Sequence, residues 1–423
     1  MSTTSTQRTW TDVCVVGAGA AGLMAALAAA EAGARVILAE REERPGKKLR
    51  ITGKGRCNVT NDCPPEEVLR NVVRNPRFLY SAVNAFPPGE VMAFFEGLGV
   101  PLKTERGRRV FPFSDRAEDV VEALLREVKR RGVELRRLRV REIAAENGAV
   151  CAALGGDIRI SCASLVLATG GLSYPATGST GDGYRLAEAL GHKVLPLTPS
   201  LVPLTSEDGD CASMQGLSLR NVTLTLREAG GKKVWSELGE MQFTHFGVSG
   251  PLVLSASAHM AEGKTYELEL DLKPGLTEEA LDARLLRMFG ENRNRNSSNA
   301  LDELLPRLMI PVVIRRSGIP PETKVHTVTR AQRQKLGELL KHFPVSVSGP
   351  RPIEEAIVTR GGVDVRELVP STMMSRLVPG LFFAGEILDL DAYTGGYNLQ
   401  IAWSTGRAAG LGAAAWAERS KET

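Results

Sequence analysis

The sequence is short of several features that mark common classes of protein. Aromatic residues make up 5% of the 423 residues, and no uncharged apolar run reaches the ~18 residues that a membrane-spanning helix needs. None of the six cysteines forms a C-x-x-C pair or stands at metal-ligand spacing from one of the five histidines, so no metal site is expected. Scattered thiols, and a polar segment at residues 1–12 without the apolar core of a signal peptide, favour a cytoplasmic protein.

Residues 12–40 have the pattern of a strand, a helix and a second strand. The β-branched run at 12–16 predicts a buried parallel strand, and the Ala/Leu-rich run at 23–32 predicts a helix that ends at Gly33. The apolar run at 35–40 predicts the next strand. The whole segment has about the ~30 residues that a βαβ unit takes.

The turn between the first strand and the helix has the pattern Gly17-x-Gly19-x-x-Gly22. In a dinucleotide-binding fold the first glycine permits the tight turn, the second lets the backbone approach a pyrophosphate, and the third lets the helix pack closely on the sheet. Glu40 ends the second strand, where an acid binds ribose hydroxyls. Arg41 could instead meet a 2′-phosphate, which would favour NADP.

The C-terminal part of the chain favours FAD over NADP. An apolar strand at residues 380–385 ends in Gly385-Glu386, and a carboxylate there can accept hydrogen bonds from a ribityl chain. The glycine pair at 395–396 precedes a long helix predicted at 401–418, whose N-terminal N–H groups would face the flavin pyrimidine carbonyl. Nucleotide-facing segments at both ends of the chain suit a long, extended cofactor.

Two further glycine-rich segments fit the same site. The predicted strand 164–168 ends in Thr169-Gly170-Gly171, as expected beneath a dinucleotide at the carboxyl edge of a sheet. Residues 44–61 are predicted to form an extended loop whose cations could neutralise a pyrophosphate. Cys57 in that loop is either a proton donor beside the flavin or a small residue packed against it.

The sequence predicts a discontinuous organisation. Residues 1–194 and 352–423 form an FAD-binding domain, residues 195–276 and 342–351 an inserted β-barrel, and residues 277–341 a helical subdomain. In the inserted part, His245 lies in a loop that also contains two glycines and a proline, and it is a candidate substrate-binding or acid/base residue.

The predicted helical segment, residues 277–341, carries twelve Lys/Arg and eight Asp/Glu, an excess equal to the net charge of the whole chain. A solvated helix face is one interpretation, and binding of a phosphate-rich substrate is the other. The candidate substrate-binding cations are Arg315, Arg316, Arg330, Arg333 and Lys335.

Four segments, at 53–61, 168–183, 244–251 and 385–400, resemble the BaiN/YhiN-type FAD-dependent oxidoreductases, in order and over nearly the full chain. The resemblance implies an α/β flavoprotein of the two-dinucleotide-binding type with a Rossmann-like domain, an inserted β-barrel and a helical subdomain. It also implies activities known in the family: aminoacetone oxidase, bile-acid reductase and, in one branch, dihydrouridine formation in large-subunit ribosomal RNA.

Motif and resemblance together define the residues expected to contact FAD. They are Gly17, Gly19, Ala20, Ala21, Gly22, Glu40, Arg41, Lys47, Lys48, Gly53, Gly55, Arg56, Cys57, Asn58, Val140, Ala168, Thr169, Gly170, Gly171, Gly385, Glu386, Gly396, Tyr397, Asn398 and Leu399.

The expected reaction is reduction of a C=C bond, with NAD(P)H as the transient source of hydride, flavin N5 as its donor, and Cys57 or His245 as the proton donor. A uridine of large-subunit ribosomal RNA is the favoured substrate. The alternatives are a small-molecule oxidase or reductase, and an RNA-binding or assembly protein that keeps FAD as a structural group.

Overall fold

The computed structural model describes residues 7–422, so the first six residues of the polar N-terminal segment lie outside it. The strands in this range are β1 (Gln7–Val16), β2 (Val36–Glu40), β3 (Thr60–Asn61), β4 (Leu102–Glu105), β5 (Arg109–Pro112), β6 (Glu134–Arg137), β7 (Glu142–Glu146), β8 (Ala149–Gly155), β9 (Ile158–Leu167), β10 (Val194–Ser200), β11 (Leu204–Thr205), β12 (Ser218–Glu228), β13 (Lys233–Thr244), β14 (Gly247–Ser249), β15 (Tyr266–Asp271), β16 (Phe343–Ser346), β17 (Gly349–Pro350), β18 (Val358–Val363) and β19 (Leu381–Phe383).

The α-helices in the same range are α1 (Ala20–Glu31), α2 (Lys47–Gly55), α3 (Pro65–Arg70), α4 (Tyr80–Ala85), α5 (Pro88–Gly97), α6 (Ala117–Arg130), α7 (Asp182–Ala189), α8 (Gly209–Ser213), α9 (Pro251–Ser257), α10 (Glu278–Glu291), α11 (Ser297–Ala300), α12 (Ile310–Ser317), α13 (Arg330–Lys341) and α14 (Tyr397–Glu422).

The chain forms two compact units. One contains the described residues up to Ser200 together with those from Ile353 onward, and the other contains Leu201–Pro352. The sequence-based division has three parts, because it separates the helices at 277–341 from the inserted strands. In the structure these helices and strands bury their apolar side chains in one shared core.

The first unit is built on a largely parallel sheet. The strand order is β6-β2-β1-β9-β8-β7, and β19 pairs with β9. Strands β6, β2, β1, β9 and β19 are parallel, and the hairpin strands β8 and β7 run antiparallel at one side. The central stretch Val13–Val16 is buried on both faces of the sheet, which is typical of parallel strands. This is the α/β, Rossmann-like fold that the βαβ pattern predicts.

Helix α1 packs against α14 with the two backbones in close contact. A Cβ at Gly406 would lie 2.4 Å from the Ala21 carbonyl oxygen, and one at Gly410 would lie 2.2 Å from that of Ala25. Only glycine permits this approach. Helix α14 starts four residues earlier than predicted and is 26 residues long, but no helix in residues 7–422 is long and apolar enough to cross a membrane.

The loop predicted at residues 44–61 is partly helical, so the expectation of an extended segment was wrong there. Helix α2 is regular only up to Ile51, because Thr52 is extended and Gly53 and Lys54 have positive φ. Cys57 also has a positive φ of 59°. The run of positive φ values turns the chain sharply, and propensity rules for a cation-rich segment do not anticipate it.

The second unit contains a seven-stranded sheet in the order β16-β15-β12-β13-β14-β11-β17, with antiparallel pairing throughout. Strand β15 alternates apolar and polar residues, and its apolar side chains are the buried ones. Helices α10, α12 and α13 contribute apolar side chains such as Leu285, Val313 and Leu336 to the core of this unit.

We expect Gly410→Ala to destabilise the protein, because the added Cβ would overlap the Ala25 carbonyl. Overpacking of this kind costs about 1–3 kcal/mol, and the thermal unfolding midpoint should fall accordingly. Gly89→Ala is the matched control, since Gly89 is also helical but a Cβ there meets no atom within 4 Å. Equal midpoints for both variants would contradict the close packing of α1 and α14.

Candidate functional site

The turn between β1 and α1 contains glycines required for two different reasons. A Cβ at Gly17 would lie 2.5 Å from the Ala168 carbonyl oxygen, and one at Gly22 would lie 1.7 Å from the Gly17 carbonyl oxygen. The fold itself therefore requires both. A Cβ at Gly19 would meet no protein atom within 4 Å, and its φ of −82° suits any residue. Close approach of a ligand at the start of α1 gives a reason for glycine at this position.

The Glu40 carboxylate is fixed at the end of β2. One oxygen accepts a hydrogen bond from the Ala18 N–H at 2.6 Å, and the other accepts one from the Glu42 N–H at 2.8 Å. Each carboxylate oxygen can accept a second bond, so the group keeps capacity for ribose hydroxyls.

Arg41 is directed toward other protein groups. Its guanidinium donates to the Thr180 hydroxyl at 2.6 Å and to the Asp182 carboxylate at 3.0 Å. Burial alone would raise the pKa of Asp182, but hydrogen bonds from Arg139 and the charge of Arg41 hold that pKa below its ordinary value. An arginine engaged in this way is poorly placed to read a 2′-phosphate, which agrees with FAD rather than NADP as the resident nucleotide.

Segments from the two ends of the chain meet at the start of α14. A Cβ at Gly396 would lie 2.3 Å from the Thr60 carbonyl oxygen, so the two backbones touch. The buried Thr60 hydroxyl donates to the Gln400 side chain at 2.6 Å, and the Trp403 indole N–H donates to the Val59 carbonyl at 2.9 Å. These contacts fix the segment after Cys57 against the N-terminus of α14.

The N-terminus of α14 presents backbone donors. The first hydrogen bond within the helix comes from the Gln400 N–H to the Gly396 carbonyl, so the N–H groups of Asn398 and Leu399 have no partner inside the helix. The Asn398 side chain does not point outward, because it bonds both to the Ala392 N–H and to the Ala392 carbonyl. At this helix end the backbone, and not the Asn398 amide, is therefore available to a ligand.

Glu386 joins three segments that are remote in sequence. Its carboxylate accepts hydrogen bonds from Lys48 Nζ at 2.6 Å, the Ser173 hydroxyl at 2.8 Å and the Thr359 N–H at 2.9 Å. Burial alone would raise the pKa of Glu386, but the charge and hydrogen bond of Lys48, together with the other donors, hold that pKa below its ordinary value. Three of about four acceptor positions are occupied, so Glu386 chiefly orders the site.

The remaining predicted FAD contacts are spread around this network. Lys47 pairs with Glu42, while Arg56 pairs with Glu105 and Asp115 and lies over the Phe111 ring. Three glycines have close neighbours: a Cβ at Gly385 would lie 2.7 Å from that of Ala21, one at Gly171 would lie 2.7 Å from Glu386 Oε1, and Gly170 lies near the Ser179 hydroxyl. Gly53 and Gly55 are exposed. The other predicted contacts are buried or half-buried: Ala20, Val140, Tyr397 and Leu399.

Two polar side chains at the predicted site fit a bound cofactor. Asn58 Oδ1 and Thr169 Oγ1 are buried, and neither has a hydrogen-bond partner among residues 7–422. Leaving a buried polar atom unpaired costs about 1–3 kcal/mol, so such atoms in a native protein point to a missing partner. With the open position at Gly19 and the backbone donors of α14, they form a set of groups suited to FAD.

Cys57 is fully buried. Burial raises the pKa of its thiol to about 12, and a hydrogen bond with Thr52 offsets only part of that rise. The thiol therefore stays neutral at physiological pH. The neighbouring cations do not counter this rise in pKa, because Lys54 is exposed and Arg56 is paired with acids.

His245 lies at the tip of a β-hairpin in the second unit. Thr244 pairs with Gly247, so His245 and Phe246 form the two-residue loop between β13 and β14. The imidazole is exposed and contacts the Phe246 ring edge-on, with centroids 5.1 Å apart. An exposed histidine at a hairpin tip is accessible to a ligand, and its proposed acid/base role remains a prediction.

Most of the candidate substrate-binding cations are neutralised within the protein. Arg315 and Arg316 both pair with Asp210, Arg316 also with Asp208, and Arg333 forms two hydrogen bonds to Asp282. Arg330 and Lys335 are exposed, and no ion pair is found for them within residues 7–422. The excess positive charge of the helical segment therefore does not form a continuous basic surface.

Sequence reasoning missed a buried Ser-His-Glu arrangement in the first unit. His192 Nδ1 lies 2.9 Å from Glu367, and Nε2 lies 2.9 Å from the Ser375 hydroxyl. This hydroxyl also accepts the N–H groups of Leu377 and Val378, and Ser375 is buried. Burial lowers the pKa of His192 despite Glu367. The arrangement therefore holds a loop together and has no exposed nucleophile.

Asp391 was also missed. It is fully buried, one oxygen accepts a hydrogen bond from the Ser200 hydroxyl at 2.7 Å, and the other has no partner in the described residues. Burial raises its pKa. In the sequence, only its position between the apolar residues Leu390 and Ala392 indicates that Asp391 is buried.

Comparison with known proteins identifies the chain. The family model described as the HI0933-like protein Rossmann domain matches residues 11–412. The chain belongs to the HI0933-like family. This is a family of FAD-dependent oxidoreductases, and the resemblance inferred from the sequence motifs is confirmed.

Two relatives match over nearly their whole lengths. A 3-dehydro-bile acid Δ(4,6)-reductase of Clostridium scindens is 33% identical over 95% of this chain and 98% of its own. A ribosomal RNA dihydrouridine synthase of Escherichia coli is 33% identical over 93% of this chain and 96% of its own. Identity alone does not favour either.

A solved quinol-fumarate reductase has the same kind of fold. The match has a TM-score of 0.55 and 19% identity, and it covers 98% of this chain and 72% of that one. At this identity the likeness concerns the fold alone, and it agrees with an α/β architecture.

We expect Gly19→Ala to weaken FAD binding without destabilising the apoprotein, because the added Cβ meets no protein atom and would meet only the ligand. FAD affinity should fall at least about tenfold, which corresponds to 1.4 kcal/mol. Flavin fluorescence titration and apoprotein melting measure the two effects, with Gly89→Ala as the control glycine. A normal FAD affinity would show that the ligand does not approach at Gly19.

We expect Cys57→Ala to retain FAD and to turn over at close to the wild-type rate, because a fully buried thiol with a pKa of about 12 is a poor proton donor. Removal of a general acid typically costs about 10²–10⁴ in rate. Steady-state kinetics measure the turnover of this variant. Cys151→Ala is the control, because it removes a half-buried thiol elsewhere. A loss of that size for Cys57→Ala alone would restore the acid role.

Proposed function

We propose that the protein reduces a C=C bond conjugated to a carbonyl group, and that the substrate is a uridine of large-subunit ribosomal RNA. The observation that carries the chemistry is the full-length relation to two reductive enzymes. Dihydrouridine differs from uridine by reduction of its C5=C6 bond, and a Δ(4,6)-reductase acts on C=C bonds. The names of both relatives therefore describe reduction of a conjugated C=C bond.

Different residues would bind different parts of FAD. The turn at Gly19 and the start of α1 would meet the pyrophosphate, Glu40 the adenosine ribose, and Thr169 and Asn58 neighbouring polar atoms. The backbone donors at the N-terminus of α14 would stabilise negative charge on the ring system. When bound, FAD supplies a hydride that it has received from NAD(P)H.

Reduction of the double bond needs one proton as well as the hydride. In uridine the hydride would add to C6, which is β to the C4 carbonyl, and the proton would then go to C5. Cys57 is neutral but fully buried, and His245 is exposed on its hairpin. His245 is therefore the better proposed donor of the two.

NAD(P)H is the proposed reductant. The sequence has no second Gly-x-Gly-x-x-Gly, so the nicotinamide nucleotide would bind transiently without a Rossmann domain of its own. A protein that modifies ribosomal RNA would act in the cytoplasm, where its six free thiols would remain reduced.

The choice of RNA is supported by two relatives named ribosomal RNA dihydrouridine synthases, from Escherichia coli and Haemophilus influenzae, at 33% and 30% identity. The second candidate is a small-molecule reductase, favoured by the bile-acid reductase at 33%. A flavin that does not cycle with NAD(P)H would instead indicate a structural cofactor.

We expect the purified protein with FAD and NADPH to convert one uridine in unmodified large-subunit ribosomal RNA to dihydrouridine. Nucleoside mass spectrometry would show a product two hydrogens heavier than uridine. The Gly19→Ala variant, assayed at limiting FAD, is the control, because its weaker FAD binding should lower the activity. Reduction of a conjugated 3-oxo-bile acid, with no dihydrouridine in the RNA, would overturn the substrate assignment in favour of the small-molecule reductase.

A further inference from the structure

A second cation-rich segment belongs to the first unit, whereas the helical segment at 277–341 belongs to the second. Residues 126–141, called here the basic edge, contain eight Lys/Arg and two Asp/Glu, so their excess of six exceeds the net charge of +4 of the whole chain. The cations are Arg126, Lys129, Arg130, Arg131, Arg136, Arg137, Arg139 and Arg141.

The basic edge occupies one side of the parallel sheet. It comprises the last turns of α6, the turn at Gly132, strand β6 and the segment that follows. Strand β6 ends the sheet, because it pairs only with β2 within residues 7–422. Beyond β6, Leu138 and Val140 are buried while the arginines on either side of them are exposed, so the cations line the outside.

Local acids neutralise only part of this charge. Glu127 binds both Arg130 and Arg131, and Glu134 binds Arg136. Asp182 is shared by Arg139 and Arg41.

Four cations of the basic edge remain without an ion pair in the described part of the chain: Arg126, Lys129, Arg137 and Arg141. Cations near a helix C-terminus interact favourably with its dipole, which explains Lys129 at the end of α6. It does not explain Arg137 or Arg141, which lie beyond the helix.

We propose that the basic edge binds the phosphate backbone of RNA. The proposal rests on the proposed function, because RNA is the polyanion that this function supplies. Arginine suits phosphate, since its guanidinium donates two parallel hydrogen bonds. An anionic membrane fits less well, because Leu135 is the only large apolar side chain exposed on the edge, and membrane-surface binding needs an apolar face as well.

The test compares two triple variants with the wild type. The edge variant carries Lys129→Gln, Arg137→Gln and Arg141→Gln. The control variant carries Arg220→Gln, Lys232→Gln and Lys233→Gln, which removes three exposed cations of the second unit that likewise have no ion pair in residues 7–422. Binding of transcribed large-subunit ribosomal RNA is measured at several salt concentrations, together with FAD content and binding to phosphatidylglycerol vesicles.

Because each phosphate contact releases counterions, loss of three contacts should flatten the slope of log affinity against log salt by about 2–3. The control variant should keep the wild-type slope, and both variants should keep their FAD. Equal slopes for the edge variant and the wild type would overturn the proposal, and so would wild-type protein that binds the vesicles but not the RNA.

Failure of the surface and failure of the function are distinguishable. If the wild-type protein forms dihydrouridine but the edge variant binds RNA with an unchanged salt slope, the proposed surface is rejected and the proposed function stands. If the wild-type protein binds RNA through the basic edge but forms no dihydrouridine, the proposed surface is supported and the proposed reaction is rejected.

Discussion

The structure of the first unit depends on how closely neighbouring backbones approach the start of helix α1. Gly17 touches the carbonyl of Ala168, Gly22 touches that of Gly17, and Gly406 touches that of Ala21. None of these positions has room for a Cβ. Because the sheet, α1 and α14 are held at backbone contact, the N-terminus of α1 stays fixed at the carboxyl edge of the sheet, where backbone N–H groups can bind an anion.

The same constraint brings together segments that are far apart in sequence. Glu386 bonds to Lys48, Ser173 and Thr359, and Thr60 contacts the start of α14. These contacts order the protein without a ligand. Gly19, Thr169 and Asn58 are different, because the protein gives no partner or packing reason for them. We propose that these are the positions at which the fold is adapted to the cofactor.

Local patterns predicted the parts of the structure that depend on neighbouring residues. The βαβ unit, strand β15 and the glycine-rich turn follow from periodicity and from the conformational freedom of glycine. The kink in α2 did not, since it rests on consecutive residues with positive φ, and the buried Asp391 did not, since its partner Ser200 is remote in sequence. Net charge also misled, because a count cannot show that Arg316 and Arg333 are paired with acids while Arg137 and Arg141 are not.

The central claim is that both ends of the chain build one site for FAD. The most direct measurement is chromatographic identification and quantification of the flavin released when the purified protein is denatured. The account predicts FAD, at one per chain, because the turn at Gly19 and Glu40 are suited to an ADP moiety that FMN lacks. Release of FMN, or a protein that takes up no flavin when FAD is supplied, would contradict it.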